Sequence, residues 1–165
     1  RIGSRVAFHA VKGFDMKVIY YDVKRNEEFE KIYGAVFSEK IDDVLRKADF
    51  VSIHVPFIPQ THHLIGETQL KLMKPTAYLV NTSRGPIVDE TALAVALNAK
   101  TIAGAAIDVF EFEPKVMPGL LGLDNVILTP HIASATEETR AKMSELAATN
   151  IIEALEGRTP PSVPK

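Results

Sequence analysis

Short apolar runs alternate with amphipathic segments along most of this chain. The apolar runs, rich in β-branched and aromatic residues, predict strands at residues 17–21, 35–37, 50–55, 77–80, 102–110 and 126–128. The segments between and around them predict helices at residues 1–12, 26–34, 41–45, 67–73, 90–99 and 136–156, and a glycine follows the first and the last of these. Such alternation predicts right-handed βαβ units, and therefore an α/β fold with a doubly wound parallel sheet and helices on both faces.

Composition and charge narrow the class of protein. The 165 residues are 46% hydrophobic and 24% charged, which argues against disorder, and the absence of a run of 18 apolar residues argues against a membrane span. The formal net charge of −2 offers no general attraction for nucleic acid or anionic lipid, so an anion would be bound locally. The chain has no cysteine and no recognisable targeting peptide, and we expect a cytoplasmic protein. We expect residues 1–157 to form the domain and residues 158–165 an extended tail.

Arg84 is placed to bind an anion. It follows the predicted strand at residues 77–80, and ligands of open α/β sheets bind beyond the carboxyl ends of strands. A guanidinium can hold a carboxylate through two parallel hydrogen bonds. The alternative is an arginine that only pairs with Asp89 or Glu90 where the next helix begins.

Two later loops carry further candidate chemistry. Residues 104–114 deliver Asp108 and Glu113, and His131 follows the last predicted strand and a proline. Arg84, Glu113 and His131 each follow a separate strand, so we expect them to converge on one edge of the sheet. An arginine offers a cation for an anionic ligand, and a histidine beside a carboxylate can serve as a proton donor.

The beginning of the chain carries a weaker signal for a dinucleotide. In a dinucleotide-binding fold three glycines connect the first strand to the first helix, and an acidic residue about twenty positions later binds the adenosine ribose. If Gly3 is the third glycine, Asp22 has this position, and the amides of Arg1 and Ile2 would cap the pyrophosphate. A carboxylate repels a 2′-phosphate, so we expect NAD rather than NADP, although two basic residues follow Asp22.

The motifs N-T-S-R-G-P-I-V-D-E, A-G-A-A-I-D-V-F-E-x-E-P and T-P-H-I-A-S-A-T, in this order, resemble the D-isomer-specific 2-hydroxyacid dehydrogenase family. The sequences of these motifs are most similar to those of the glyoxylate, hydroxypyruvate and phosphoglycerate dehydrogenase branch. The resemblance implies a Rossmann-type NAD-binding domain in which Arg84 binds the substrate carboxylate, His131 is the acid/base, and Glu113 holds its imidazole. It also implies cofactor contacts at Thr82, Ser83, Asp108, Val55, Pro56, Ile132 and Ala133.

We therefore expect NAD(H)-dependent reduction of a small 2-keto acid, glyoxylate or hydroxypyruvate, to the D-2-hydroxy acid by a homodimer. Neither nucleic acid nor a membrane is an expected partner. Corepressors related to this family keep the same residues but act as NAD-sensing binding modules, which leaves a binding function as an alternative. A catalytically inert fragment is a further alternative. The formate dehydrogenase branch is disfavoured, because it pairs its histidine with glutamine instead of a residue such as Glu113.

The chain also departs from the family pattern. The first strand, the first two glycines of the fingerprint and the substrate domain are not found in it. The missing strand is central in the order 3-2-1-4-5-6, so we expect two unpaired strand edges where it would lie. We expect no metal: the histidines lack ligand spacing apart from the adjacent pair His62 and His63, whose side chains are predicted to lie on a solvated loop.

Overall fold

The structure is a computed structural model that describes residues 2–163, and the chain divides into two compact units, residues 1–130 and 131–165. Helices and strands alternate in the first unit as the sequence predicts. Its helices are α1 (Ile2–Phe14), α2 (Glu27–Tyr33), α3 (Ile41–Lys47), α4 (Glu67–Leu72) and α5 (Glu90–Asn98). Its strands are β1 (Ile19–Tyr20), β2 (Val36–Phe37), β3 (Phe50–Ile53), β4 (Tyr78–Asn81), β5 (Gly104–Ile107) and β6 (Val126–Leu128). The second unit contains one long helix, α6 (Glu137–Leu155).

All strand pairs are parallel, which confirms the predicted sheet type. The strands form two sheets, one with the order β1-β2 and one with the order β3-β4-β5-β6. Residue Leu79 of β4, for example, lies between Val51 of β3 and Ala105 of β5. The break between β1 and β3 falls where the central strand of the expected order would lie, so the predicted pair of unpaired edges is present. Within each sheet, the carboxyl ends of the strands therefore lie at the same edge.

The core lies on one face of the four-stranded sheet. Alternate residues of β3 and β4 are buried there, as the burial pattern of a half-covered strand predicts. They pack against leucines from α3, α4 and α5, and the fully buried side chains include Leu45, Leu70, Leu79, Leu93 and Leu97. A fully buried leucine contributes about 1.5–3 kcal/mol relative to an exposed one, so this layer holds the sheet in place.

The opposite face of the four-stranded sheet is partly open. Phe50 and Tyr78 are about half exposed on this face, with their rings stacked at 5.6 Å, and Ile127 is exposed beside them. Within the described residues of the first unit, α3, α4 and α5 cover the core face of this sheet. Helices α1 and α2 pack against each other through Phe8 and Tyr33, and the predicted parallel sheet flanked by helices is present.

Most ends of the helices follow from their sequences, although α1 continues through Gly13 to Phe14 instead of ending before this glycine as predicted. Asn26 caps α2 by accepting a hydrogen bond from the Phe29 N–H at 3.0 Å, and Asp89 caps α5 in the same way. The long last helix ends before Gly157, as predicted. The strand predicted at residues 102–110 is shorter, because from Phe110 onward backbone N–H groups bond to side chains instead of strands. Among the described residues, no helix combines the length and hydrophobicity needed to cross a membrane.

Candidate functional site

Arg84 follows β4 on a loop built around a buried asparagine. Asn81 is 1% exposed; its amide nitrogen donates to the Arg84 carbonyl at 3.0 Å, and its amide oxygen accepts from the Ser83 N–H at 3.1 Å. The Arg84 guanidinium is exposed and donates to the Ser83 carbonyl at 2.6 Å. In the described part of the chain it pairs with neither Asp89 nor Glu90, so the helix-entry ion pair is not formed. The loop therefore presents an exposed cation beyond the strand end.

Gly85 brings the Arg84 loop against the loop that follows β5. A Cβ added at Gly85 would lie 1.9 Å from the carbonyl carbon of Phe110 and 2.4 Å from the amide nitrogen of Glu111. No side chain fits at that distance, so the position requires glycine for close backbone approach. The loop at residues 82–86 and the loop at residues 110–113 consequently pack backbone to backbone.

Two glutamates hold the second of these loops. The Phe110 N–H donates to the Glu113 carboxylate at 3.0 Å, and the Glu111 N–H donates to the Glu90 carboxylate at 2.7 Å. Glu113 is exposed, whereas Glu90, at the start of α5, is 3% exposed. The loop that carries Glu113 is thus bonded both to its own glutamate and to a buried glutamate beneath it.

Glu90 is electrostatically unusual. Burial raises its pKa above the ordinary value, because the charged carboxylate loses its hydration. The carboxylates of Glu111 and Glu113 raise the pKa further, whereas the hydrogen bond from the Glu111 backbone lowers it. The net direction is upward, so the interior favours the neutral acid at this position.

Asp108 connects the ends of three strands. Its carboxylate accepts a hydrogen bond from the Thr129 hydroxyl at 2.6 Å, and its N–H donates to the Asn81 carbonyl at 3.0 Å. The residue is 4% exposed. Asp108, which the sequence predicts to contact the cofactor, therefore lies at the carboxyl edge of the four-stranded sheet, directly beside the Arg84 loop.

The other predicted contacts in this unit lie at the ends of β3 and β4. The Ser83 hydroxyl donates to the Val55 carbonyl at 2.5 Å, which joins the two strand ends. Thr82 and Pro56 are exposed next to them, and the Pro56 carbonyl accepts from Thr61 at 2.7 Å. These residues form one continuous edge at which a cofactor could lie.

The N-terminus of α1 lies beside this edge. A Cβ at Gly3 would lie 3.2 Å from the His54 ring, so the helix packs closely against the chain after β3. Close helix packing is the role of the third glycine in a dinucleotide fingerprint. His54 also contacts the Ser52 hydroxyl at 2.9 Å, and burial lowers the pKa of His54. Ile2 begins the helix, and Arg1 lies outside the described residues.

Asp22 is exposed just beyond β1, where it lines a surface pocket of about 470 Å³. Arg25 lines the same pocket, but its guanidinium donates two hydrogen bonds to Glu30 at 2.8 and 2.7 Å. The Glu30 carboxylate raises the pKa of Arg25 and holds the side chain in this pair. The acidic residue is thus open to a ligand, while the nearest arginine already has a carboxylate partner.

His131 belongs to the second unit. It is exposed and has a φ of 54°, in the left-handed region that residues other than glycine rarely occupy. Such backbone strain is found preferentially at functional sites. Ile132 and Ala133, also exposed, follow it in the loop before α6. The convergence of His131 with Arg84 and Glu113 stays a prediction.

The sequence analysis missed two residues that shape the site. Asn81 carried a usable signal, since an asparagine at a strand end followed by threonine and serine is typical of a side chain that bonds the backbone two residues on. Glu90 carried no such signal, because nothing in the sequence shows that it, and not the adjacent Asp89, is the buried acid.

Comparisons with known proteins agree with this arrangement. The glyoxylate reductase of Korarchaeum cryptofilum is 51% identical over 165 residues, which are 99% of this chain and 49% of the relative. The crystal structure of apo D-mandelate dehydrogenase from Rhodotorula graminis matches with a TM-score of 0.90 and 38% identity, over 99% of this chain and 48% of that one. The NAD-complexed D-isomer-specific 2-hydroxyacid dehydrogenase of Lactobacillus delbrueckii ssp. bulgaricus matches with a TM-score of 0.86 and 37% identity, over 99% and 53%.

A parallel sheet with a closely packed helix N-terminus, and an acid beyond the neighbouring strand, defines a dinucleotide-binding domain of the Rossmann type. Residues 1–133 match the family described as D-isomer specific 2-hydroxyacid dehydrogenase, NAD binding domain. The chain belongs to this family, so the resemblance drawn from the sequence is confirmed. It spans about half the length of the relatives that it matches.

Proposed function

We propose that this chain is the cofactor-binding part of an NAD(H)-dependent dehydrogenase that reduces a small 2-keto acid, glyoxylate or hydroxypyruvate, to the D-2-hydroxy acid. The observation that carries this proposal is the exposed guanidinium of Arg84 on a loop packed against the loop of Glu113. A cation beside a positioned carboxylate suits recognition of a small anionic substrate next to an acid/base. The names of the glyoxylate reductase relatives favour glyoxylate.

Each polar residue has a separate task in this proposal. Arg84 binds the substrate carboxylate through two parallel hydrogen bonds and polarises the adjacent carbonyl. His131 donates a proton to the carbonyl oxygen as negative charge develops on it, and Glu113 orients the imidazole. Bound NADH supplies the hydride. Asn81 and Gly85 act indirectly, because they fix the backbone from which Arg84 extends.

The residues present fit a dinucleotide. Gly3 provides close helix packing, and buried Asp108 offers a carboxylate at the nicotinamide end of the edge. Asp22 would accept hydrogen bonds from the adenosine ribose hydroxyls. Because Arg25 is already paired with Glu30, it is poorly placed to bind a 2′-phosphate. We therefore infer that NADH is used better than NADPH, and that Asp22→Ala narrows this difference.

The test is steady-state oxidation of NADH with glyoxylate, in a protein that combines residues 1–165 with the remaining half found in the relatives. Arg84→Lys keeps the charge but loses the bidentate grip, so kcat/KM for glyoxylate should fall about 10–100-fold while the KM for NADH is unchanged. Arg46→Lys, on the exposed side of α3, is the matched control. A fall of less than about threefold in Arg84→Lys would show that the proposed role is wrong.

Residues 1–165 alone serve as the negative control in this assay. We expect no measurable glyoxylate-dependent oxidation of NADH from them, because the segment that closes over the substrate in the family is not among these residues. Without a closed cleft most of the proximity contribution, about 7–11 kcal/mol at best, is lost.

A further inference from the structure

His63 lies where three loops meet, and the proposed reaction gives it no role. Its N–H donates to the Pro86 carbonyl at 2.9 Å, and its side chain is 34% exposed. The Nε2 atom of its ring lies 2.8 Å from Oε1 of Glu111, whose side chain is 13% exposed. His63 lies on a partly exposed loop, as expected, but its ring also faces the largely buried carboxylate of Glu111.

The backbone brings the neighbouring histidine to the same place. Successive side chains of an extended segment point to opposite sides, but His63 has a left-handed φ of 50°. The His62 and His63 rings consequently stack, with centroids 4.0 Å apart and planes inclined by 22°. A strained φ persists only where surrounding contacts hold it, which the bond to Pro86 helps to do.

The two carboxylates around His63 create a negatively charged environment that favours a bound cation. Asp89 Oδ2 lies 4.0 Å from His63 Nδ1, so carboxylates face both nitrogens of one ring. A neutral imidazole has a single N–H and can donate to only one carboxylate. If Nδ1 donates toward Asp89, the lone pair of Nε2 points at the lone pairs of Glu111. A metal ion between Nε2 and Oε1 would bind both.

We propose that His62, His63 and Glu111 form a site for a divalent transition-metal ion, of which Zn²⁺ fits best. One ligand atom from each residue lies within 4.8 Å of the others, and this is the one such group among the described residues. Tetrahedral zinc bonds of about 2.0–2.2 Å separate ligand atoms by about 3.3–3.6 Å. The exposed His62 ring must therefore rotate closer, and the 2.8 Å spacing between His63 Nε2 and Glu111 Oε1 must widen slightly. Two imidazoles and one carboxylate favour Zn²⁺ over Mg²⁺, which prefers oxygen ligands.

Asp89 has a supporting part in this site. A metal-bound histidine usually donates its other N–H to a carboxylate, which orients the ring and fixes the tautomer. Asp89 faces that second nitrogen, and its other oxygen caps α5 by accepting from the Ala92 N–H at 2.9 Å. The ion would thereby connect the loop of His62 and His63 to the loop at residues 110–113.

The experiment is calorimetric titration of chelator-treated protein with ZnCl₂, supported by the visible d–d bands of Co²⁺. We expect one saturable site, with affinity that increases as pH rises because the ligands bind metal only when deprotonated. His62→Gln should weaken binding at least tenfold, and His9→Gln, an exposed histidine on α1, should not. Asp89→Asn should weaken it about 10–100-fold while preserving the helix cap, since asparagine caps as well as aspartate.

Several results would overturn the proposal. One is no saturable Zn²⁺ binding up to about 1 mM, which would leave His63 and Glu111 as an ion pair only. Another is equal affinity in the parent and in His62→Gln. A third is Mg²⁺ binding as tight as Zn²⁺. Because His62 is exposed, its variant is expected to fold even if a Glu111 variant does not, so the test does not depend on the buried partner.

Discussion

The four-stranded sheet of the first unit packs on an aliphatic core, whereas the two-stranded sheet is held by aromatic rings and hydrogen bonds. The core cluster lies entirely between residues 45 and 120. Before residue 40, Ala7 and Ala35 are the buried hydrophobic residues among those described. There the Tyr20 ring packs against the rings of Phe29 and Phe37, with centroid distances of 5.1 and 5.3 Å. Its hydroxyl accepts a hydrogen bond from the Asn26 N–H at 2.9 Å.

This difference separates the two ends of the proposed cofactor site. Of the residues expected near the substrate and the nicotinamide, Arg84, Asp108 and Glu113 follow strands that the core holds firmly. Asp22, expected at the adenosine ribose, extends from a two-residue strand with little buried apolar surface. Burial of apolar area is the main stabilising contribution, so the adenosine end should open more readily than the substrate end.

The largest effect is expected in the core. Leu79, at the centre of β4, is fully buried, so Leu79→Ala should lower the free energy of unfolding by about 2–5 kcal/mol. Val36→Ala, on exposed β2, is the matched truncation and should change it by less than about 0.5 kcal/mol. Urea denaturation measures both values. Equal losses of unfolding free energy in the two variants would contradict the proposed difference in stability between the two sheets.

A somewhat smaller loss of stability is expected at Gly85, with a larger effect on the site. Gly85→Ala forces the backbones of the two loops apart and should cost about 1–3 kcal/mol or more. Gly13→Ala, where an added Cβ meets nothing within 4 Å, should not destabilise the protein. A Gly85→Ala variant as stable as the parent in urea would contradict the close approach.

Glu90, which is buried in the unit of the four-stranded sheet, predicts that the free energy of unfolding depends on pH. Because burial raises the pKa of Glu90 in the folded state, the stability linked to its proton is fully present below the ordinary pKa of 4.5 and is lost as pH rises through the folded pKa. Relative to Glu90→Gln, the parent should lose at most about 1.4 kcal/mol per pH unit in that window. Thermal or urea unfolding of both proteins from pH 4 upward measures this; parallel curves would contradict it.

The smallest effect is expected in the two-stranded half. The Tyr20 hydroxyl bonds Asn26 and Glu30 at 2.9 Å each, so Tyr20→Phe should cost about 0.5–1.5 kcal/mol. Amide hydrogen exchange should accelerate in α2 and stay unchanged in β4, because the loss acts on local opening. Tyr21→Phe, outside this network, is the control. Acceleration throughout β4 would mean that the two sheets unfold as one unit.

The sequence predicted the elements well because their hydrophobic patterns are strong. The parallel strands, the strand-end position of Arg84 and the end of the last helix at Gly157 all follow from local spacing and from the chemistry of single residues. The split between the sheets was also predictable, since the expected order assigns one strand to that position.

Contacts distant in sequence could not be predicted in the same way. The burial of Glu90 depends on the loop twenty residues later that lies over it, and the pairing of His63 with Glu111 joins residues separated by 48 positions. A pattern of polar residues cannot show which of them meet across a fold. The open face of the four-stranded sheet likewise depends on how the elements pack in three dimensions, which hydrophobic periodicity leaves undetermined.

Because the backbones of Gly85 and Phe110 are in close contact, the loops at residues 82–86 and 110–113 fit each other and cannot be exchanged separately. A loop grafted alone from a relative would meet a foreign backbone with no flexible side chain between them to absorb a misfit. Exchanging both loops together preserves their mutual fit. Chimeras should therefore exchange the two loops together, with insertions confined to exposed tips such as residues 57–60.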